Sequence, residues 1–406
     1  MTVPIAQRAV LTRLAEPGQE TWQFTAAHPV PSPSVDQVLV KTTHIGLNPF
    51  DWQSVAYKFG ITSDPKVIGR DGAGVVVQVG TQVTRFKEGD RVWFCANSGS
   101  NDTGAFQEYS IHDQAELGHT PDNVSDLQAA TLGTGLITAG VALFRTLKFD
   151  LHDLLKEAEP ISKSERPWIL IWGGAGITGV YLIQLARLLG FRIICAASPV
   201  NHEYVRSLGA EVILDRWTEP RELIEQIRAA TGDNVTLAID NVGSETAILC
   251  HQVLEGSTSW RKKHSIDASS NSARLVALAG FPKTTDSASD AVREVELPRI
   301  SFSTTFYGHS DFSLPLLDTF HRLLREGQIR PARYNVLPGG LTGIQAGLER
   351  LKAGKGIGGH KLILSMEEPV TPPVAEPVPV LRVLRKRKTA QVEAEEVVVK
   401  RQRVVA

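Results

Sequence analysis

The spacing of apolar residues changes near residue 127 and divides the chain into two kinds of structure. Before that point, runs such as "DQVLVKTTHIGL" and "GAGVVVQVG" are rich in β-branched residues and punctuated by glycine, which is typical of strands. The stretch "VTRFKEGDRVWFCA" predicts two strands joined by a tight turn. A short segment after Pro49 is the only helix that this part predicts.

From about residue 127, strand and helix patterns alternate. "DLQAATLGTGLITAGVALFRTL" has apolar residues at helical spacing, and a polar loop from Asp153 to Arg166 follows it. Strands are predicted in "WILIWGG", "FRIICAAS", "EVILD", "VTLAIDNVG" and "RLVALAG", with helices between most of them. Such alternation is typical of βαβ units on a parallel sheet. A helix in "SLPLLDTFHRLLREGQI" and a final helix, glycine-rich turn and strand complete the globular part.

The segment 367–406 has a different composition. It begins with the proline-rich "EEPVTPPVAEPVPV" and continues with basic stretches that contain many valines. Because proline removes backbone donors and interrupts helices, we expect a disordered tail. Two interpretations of its basic residues stay open: a solvated tail, or a patch for nuclear import or an acidic partner.

Composition limits the class of protein. The chain has 406 residues, enough for two ordinary domains, and its formal net charge of -1 gives no strong field for nucleic acid or an anionic membrane. It lacks a signal-peptide pattern and an apolar run of about 20 residues. Its three cysteines, Cys95, Cys195 and Cys250, cannot build a disulfide framework or a four-cysteine zinc lobe. We therefore expect a cytoplasmic protein without membrane or nucleic-acid partners.

The strongest chemical signal is "ILIWGGAGITGVYLIQLARLLGF" at 169–191, an apolar run that ends in glycines and continues as a helix. Free N–H groups and the dipole at a helix N-terminus favour phosphate oxygens. The spacing departs from G-x-G-x-x-G, so a tight turn without a ligand is the alternative. We expect a dinucleotide site at Gly173, Gly174, Ala175, Gly176, Ile177, Thr178 and Gly179.

The residues after the next strand indicate which dinucleotide binds. NAD sites commonly place a carboxylate there to bond the ribose 2′-hydroxyl, whereas this chain has Ser198-Pro199-Val200-Asn201-His202. Ser198 and Asn201 can donate to a 2′-phosphate, and Arg216 can add charge, so the pattern favours NADPH over NADH. Alternatively, Ser198 and Asn201 cap the next helix, and both roles can coexist.

Four motifs resemble the medium-chain dehydrogenase/reductase superfamily: "GRDGAGVVVQVG", "GLNPFDW", "AATLGTGLITAGVAL" and "GGHKLIL". The resemblance covers about residues 5–366. It implies an α/β fold with a Rossmann domain, a doubly wound parallel sheet, at 127–310 and a GroES-like β-rich catalytic domain at 1–126 and 311–366. The motif order and "SPVN" also resemble the trans-acting enoyl reductases of fungal polyketide pathways, which are zinc-free and use NADPH to serve a synthase that lacks its own working reductase domain.

Zinc ligands of the alcohol dehydrogenases in this superfamily do not match this chain. The resemblance places a ligand Cys near Gly46-Leu47-Asn48 and a ligand His in the segment that here reads Gly69-Arg70-Asp71, so two of three ligands are missing. His44 and His112 remain, but scattered histidines are more often core or surface residues. We expect no metal.

Without a metal, reducing an activated C=C is easier than reducing a simple ketone. The resemblance implies hydride transfer from NADPH to the β-carbon of an α,β-unsaturated thioester, followed by protonation of the α-carbon. It implies catalytic roles for Asn48, Asp51 and Tyr57 and cofactor contacts from Pro49, Trp52, Leu278, Ala279 and Gly358. Asn48 and Pro49 could instead simply begin a helix, and Tyr57 could pack in the wall while solvent supplies the proton.

Small residues in "TGLITAGVA" at 134–142 leave room for a substrate. We expect substrate contacts from Thr134, Gly135, Thr138, Ala139 and Phe281, with Phe302, Phe306 and Tyr307 as further aromatic candidates. The expected substrate is an enoyl thioester, either small or held by a carrier protein of a polyketide synthase. Two rival functions stay open: a reductase of free quinones or enones, and a nucleotide-binding scaffold or regulator without turnover. A monomer and a homodimer both stay open.

Overall fold

The computed structural model describes residues 2–13, 21–58, 64–97, 99–156, 166–263, 272–282, 291–301, 305–354 and 357–367. These residues belong to one compact unit. Across these ranges we find no helix with the length and apolar character needed to cross a bilayer. Phe302 and the predicted tail, apart from Glu367, lie outside the described residues.

The N-terminal part is β-rich, as the sequence predicts. An antiparallel three-stranded sheet contains β1 (Ala6–Arg13), β2 (Thr21–Pro29) and β4 (Lys66–Val67). A larger sheet contains β3 (Gln37–Leu47), β5 (Asp71–Val79), β6 (Arg91–Cys95), β7 (Tyr109–Asp113), β8 (Leu117–His119), β15 (Tyr334–Leu337) and β16 (Lys361–Ser365). Its order is β15-β16-β3-β5-β6-β8, and β7 also pairs with β3.

The last strand of the larger sheet returns to the N-terminal part of the chain. β16 pairs antiparallel with β3, with Ile363 opposite Gly46 and Leu362 opposite Leu47. Helix α1 (Pro49–Ala56) begins directly after β3, with proline in its first turn, where the missing N–H costs nothing. This pairing therefore brings the start of β16 beside the start of α1.

The second part is a parallel sheet covered by helices. Its strands are β9 (Trp168–Trp172), β10 (Arg192–Ala197), β11 (Val212–Asp215), β12 (Val235–Asp240), β13 (Ala273–Ala277) and β14 (Val295–Glu296). They lie in the order β11-β10-β9-β12-β13-β14, which is the doubly wound order 3-2-1-4-5-6. All five residues of β9 are buried, as expected for a strand covered on both faces. The predicted α/β architecture is confirmed.

Helices connect and cover these sheets. The helices are α2 (Asp126–Ala129), α3 (Gly133–Gly140), α4 (Ile177–Leu188), α5 (His202–Leu208), α6 (Pro220–Thr231), α7 (Ser244–Glu255), α8 (Thr258–Lys263), α9 (Ser310–Arg325) and α10 (Ile344–Lys352). A π-helical turn, Val141–Thr146, continues α3. Leu316 and Phe320 of α9 pack in the same core as the parallel sheet. Helix α9, which the sequence analysis assigns to the GroES-like domain, therefore contacts the part that contains the parallel sheet. The predicted domain boundaries at 126/127 and 310/311 stay predictions.

Candidate active site

The glycine loop lies at the carboxyl edge of the parallel sheet, between β9 and α4. Gly173 has a φ of +76°, which favours glycine. A Cβ on Gly179 would lie 2.5 Å from the carbonyl oxygen of Gly173, so glycine is needed for the helix to approach the turn this closely. The first amides of α4 have no acceptor within the helix. The geometry therefore suits an anionic group at this helix N-terminus.

The loops that follow β9, β12 and β13 line the same edge. Trp172, Asp240 and Ala277 lie side by side in the sheet register. Beyond them, the Asn241 side-chain amide donates to the Trp172 carbonyl oxygen (2.9 Å), and the Leu278 amide donates to the Asp240 carbonyl oxygen (2.9 Å). The predicted cofactor residues Leu278 and Ala279 therefore lie at the edge that carries the glycine loop.

The turn after β10 holds the residues predicted to select the dinucleotide. The side chains of Ser198 and Asn201 make no capping hydrogen bond, so the capping alternative is not realised. Arg216 is exposed, and its backbone amide donates to the Ala197 carbonyl oxygen at 3.1 Å. Asn201 is buried, and its Oδ1 accepts a hydrogen bond from Arg333 Nη2 at 2.8 Å. The sequence reasoning missed Arg333.

The turn before β16 reaches the glycine loop. Gly358 has a φ of +52°, and its carbonyl oxygen lies 3.4 Å from Arg333 Nη2. At the next residue, Gly359, a Cβ would lie 3.0 Å from the carbonyl oxygen of Ala175. The structure therefore brings the predicted residue Gly358 close to the glycine loop.

A buried lysine joins the two segments that carry zinc ligands in alcohol dehydrogenases. Lys361 is 2% exposed and Asp71 is 0% exposed. Lys361 Nζ donates to Asp71 Oδ2 at 2.5 Å and to Asn48 Oδ1 at 2.6 Å. We call these three residues the lysine cluster. Within the described ranges, no three or more His, Cys, Asp or Glu residues are grouped so that they could hold a metal ion.

The lysine cluster also holds the start of α3. Asp71 Oδ1 accepts hydrogen bonds from the backbone amide and the hydroxyl of Thr134, at 2.7 and 2.6 Å. A Cβ on Gly133 would lie 2.4 Å from the same oxygen, so the preceding residue must be small. Asp71 thus fixes the orientation of Thr134, the predicted substrate-binding residue.

Asp51 is a buried acid next to the lysine cluster. It is 1% exposed; Oδ2 accepts from the Asn48 amide at 2.8 Å, and Oδ1 is buried without a hydrogen-bond partner. Burial is the main cause that raises the pKa of Asp51 to about 7, and the charge of Asp71 adds to it, against the Asn48 hydrogen bond and the Lys361 and Arg70 charges. A carboxyl group with this pKa can give or take a proton near neutral pH.

Three further polar side chains meet beside Thr134. The hydroxyl of Tyr307 lies 3.3 Å from both Arg70 Nη1 and Cys95 Sγ, and Cys95 Sγ lies 3.5 Å from Thr134 Oγ1. Arg70 Cζ lies 4.0 Å from the centre of the Phe50 ring. Burial raises the pKa of both the Cys95 thiol and the Tyr307 phenol, so both stay protonated at neutral pH. Sequence reasoning assigned no catalytic role to Arg70, Tyr307 or Lys361.

Not every predicted residue lies near Asp51. The rings of Trp52 and Tyr57 lie 6.0 Å apart, and Lys352 Nζ of α10 is 5.5 Å from the Trp52 ring. Tyr57 is 64% exposed at the C-terminus of α1, and Pro49 is exposed at its start. Trp52 and Tyr57 thus share the side of α1 that contacts α10, and their predicted roles stay predictions.

The predicted substrate wall is partly packed into the core. Thr134 and Phe281 are half-buried, and the Arg299 guanidinium lies 4.5 Å from the Phe281 ring. A Cβ on Gly135 would lie 2.7 Å from Ile177, so this glycine permits close packing of α3 on α4. Three other members, Thr138, Ala139 and Phe306, are buried, whereas Tyr307 is half-buried. Thr134, Phe281 and Tyr307 are therefore the described members that have surface to offer a substrate.

Comparisons with known proteins place this geometry in a family. Residues 34–122 match the alcohol dehydrogenase GroES-like domain, and residues 178–254 match the zinc-binding dehydrogenase family. The trans-enoyl reductase TOXD of Cochliobolus carbonum is 34% identical over 223 residues, which cover 54% of this chain and 71% of that protein. The chain belongs to the medium-chain dehydrogenase/reductase superfamily. The resemblance stated from the motifs is confirmed at this level.

Other known proteins match over more of the chain. A trans-enoyl reductase of Gibberella fujikuroi is 29% identical over 345 residues, covering 83% of this chain and 93% of that protein. A mycobacterial structure solved in complex with NADPH has a TM-score of 0.67 at 22% identity, and covers 88% of this chain and 99% of that one. At that identity the structural likeness shows the fold alone. Enzymes of the superfamily are oxidoreductases that bind a nicotinamide dinucleotide.

Proposed function

We propose that this protein is an NADPH-dependent enoyl reductase that acts in trans with a polyketide synthase and needs no zinc. Its substrate is an α,β-unsaturated thioester, to which a hydride is added at the β-carbon and a proton at the α-carbon. The observation that carries the proposal is the buried Asp51 carboxyl, with its pKa near 7, beside a lysine cluster in the segments that hold zinc in alcohol dehydrogenases. The names of the two similar fungal proteins support the substrate class.

The residues for the dinucleotide lie along one edge of the parallel sheet. The amides of the glycine loop bind its pyrophosphate, Ser198 and Asn201 lie toward the adenosine end, and Leu278 and Ala279 lie toward the nicotinamide end. The lack of a carboxylate directly after β10 supports NADPH over NADH. When bound, this cofactor supplies the hydride.

Side chains of the protein then stabilise the negative charge on the substrate and supply the proton. Hydride addition puts negative charge on the thioester oxygen, and the Arg70 guanidinium and Tyr307 hydroxyl supply the positive charge and the hydrogen bond that stabilise it. Asp51 supplies the proton because its pKa matches the working pH. Thr134, held by Asp71, positions the substrate carbonyl against these groups.

The charges around Lys361 support the proposed zinc-free state. The Lys361 ammonium is 2.5 Å from Asp71 Oδ2 and fills the space between the two matched segments. A divalent cation there would face a buried positive charge and would lose the Asp71 oxygen as a ligand. The arrangement therefore opposes metal binding.

The test is oxidation of NADPH in the presence of enoyl-pantetheine thioesters and, in parallel, free quinones and enones. We expect turnover with the thioesters, unchanged by a chelator, and a large loss of turnover in Asp51→Asn with little change in NADPH affinity. A preference for quinones would support the rival reductase of free small molecules. NADPH binding without turnover on any substrate would support the scaffold.

A further inference from the structure

Arg333 is a cationic side chain at the junction of three segments that meet around the dinucleotide edge. It precedes β15, and its carbonyl oxygen accepts from the Lys361 amide at 2.8 Å. Its Nη2 donates to Asn201 Oδ1 at 2.8 Å and lies 3.4 Å from the Gly358 carbonyl oxygen. A Cβ on Gly359 would lie 3.0 Å from the Ala175 carbonyl oxygen and 3.2 Å from Asn201 Oδ1, so the glycine loop is immediately adjacent.

The Arg333 guanidinium lacks the partner that a half-buried cation normally has. Among the described residues, no carboxylate oxygen lies within 4.0 Å of it. Its Nε is buried without a hydrogen-bond partner. Its position is nonetheless fixed, because Cζ stacks 3.7 Å from the centre of the Tyr204 ring. A half-buried, oriented guanidinium without a carboxylate partner is well placed to bind an anion.

We propose that Arg333 binds a phosphate group of the dinucleotide. This inference rests on the dinucleotide-binding part of the proposed function. A guanidinium presents paired donors that match phosphate oxygens, and Arg333 holds them between the glycine loop and the turn after β10. The pyrophosphate and the 2′-phosphate of NADPH are the two candidate groups, and they share the chemistry that Arg333 would recognise.

Arg333 differs in this respect from Arg216, the arginine that the sequence suggested. Arg216 is exposed and its guanidinium stacks at 4.1 Å on Trp217, which is itself exposed. Solvent screens such a charge and leaves its side chain to be ordered on binding. Arg333 is already held in place by Asn201, Gly358 and Tyr204, so it loses less conformational freedom when the ligand binds.

The experiment measures dissociation constants of NADPH and NADH by fluorescence titration for the full chain and for Arg333→Gln, Arg333→Lys and Arg330→Gln. Arg330 is the matched control, because it is exposed on the same segment and donates to the Ser207 carbonyl oxygen at 2.6 Å. We expect Arg333→Gln to weaken NADPH binding by roughly tenfold to hundredfold, Arg333→Lys to weaken it less, and Arg330→Gln to leave it unchanged.

Comparing the effects on NADPH and NADH binding identifies which phosphate group Arg333 contacts. Equal weakening of NADPH and NADH supports contact with the pyrophosphate, and selective weakening of NADPH supports contact with the 2′-phosphate. Wild-type affinity of Arg333→Gln for both dinucleotides overturns the role of Arg333 alone; if that variant does not fold, Arg333→Met replaces it, and wild-type affinity of that uncharged variant does so. A wild-type protein that binds neither dinucleotide refutes the proposed function itself.

Discussion

The buried pair of Lys361 and Asp71 gives the sharpest test of the structure. Asp71→Asn removes the negative charge and keeps the shape of the side chain, while Lys361→Met removes the positive charge and keeps most of the length. Each single variant leaves one buried charge without its partner, because Lys361 is 2% exposed and Asp71 is 0% exposed. The double variant leaves neither charge.

The magnitude follows from the geometry. At 2.5 Å between Nζ and Oδ2, an effective dielectric constant of about 20 gives a gross attraction of roughly 7 kcal/mol. Desolvation of the two ions costs several kcal/mol each and offsets most of this attraction. The net contribution of the pair is therefore small, but either single variant should lower the free energy of unfolding by about 3–5 kcal/mol. The double variant should cost much less than the sum of the two single variants.

The assay is denaturant unfolding followed by tryptophan fluorescence and circular dichroism for the wild type, the two single variants and the double variant. Glu211→Gln is the matched control, because the Arg192–Glu211 pair is nearly as short, 2.6 Å, but each of its side chains is 23% exposed. We expect that control to cost about 1 kcal/mol or less. Additive effects of the two single variants, or single effects no larger than that of the control, would refute a buried, mutually compensated pair.

Three further outcomes are expected. The folded pKa of Asp51 is raised from 3.8 to about 7, so its neutral form adds stability that is fully present below pH ~4. This stability, about 4 kcal/mol, is lost as pH rises through 7. Asp51→Asn should abolish this decline in unfolding titrations across pH 4–8, and equal pH dependence of the two proteins would contradict the prediction. For the same reason, turnover of the wild type should fall above pH 7, and a flat profile would exclude Asp51 as the proton donor. Gly179→Ala should weaken NADPH binding at least about tenfold, since its Cβ would lie 2.5 Å from the Gly173 carbonyl oxygen; unchanged affinity in a titration would argue against the tight turn.

Local patterns predicted the parts of the site that lie close together in sequence. The glycine loop could be located because strand, turn and helix follow one another within 169–191, and the same holds for the turn at Ser198. The lysine cluster could not be assembled in this way, because Asp71 and Lys361 are separated by 290 residues and meet only when β16 pairs with β3. The motifs "GRDGAG" and "GGHKLIL" marked both residues without indicating that they touch.

The orientation of side chains on α1 is a second feature that the sequence could not predict. Asp51 and Trp52 are adjacent in sequence, yet Asp51 lies near the lysine cluster while Trp52 lies against α10. Successive helical residues point about 100° apart, so the side that faces a cleft depends on how the whole helix packs. A motif of five residues cannot specify that packing. Arg333 lay outside every motif and is defined only by contacts with Asn201 and Gly358 from distant segments.

The lysine cluster also bears on which substrates can react. A bound zinc ion with an open position polarises a carbonyl oxygen directly, whereas the Lys361 ammonium is enclosed and two of its three donors already serve Asp71 and Asn48. In the proposed mechanism, any help to the substrate oxygen must therefore come from hydrogen-bond donors such as Tyr307 and from the Arg70 charge, which are weaker than a metal. Such help is sufficient for a C=C that a thioester has already activated and is poor for an isolated ketone. In the proposed mechanism, an internal ion pair in place of a metal is thus the physical reason for a preference for enoyl groups over simple ketones as the group that is reduced.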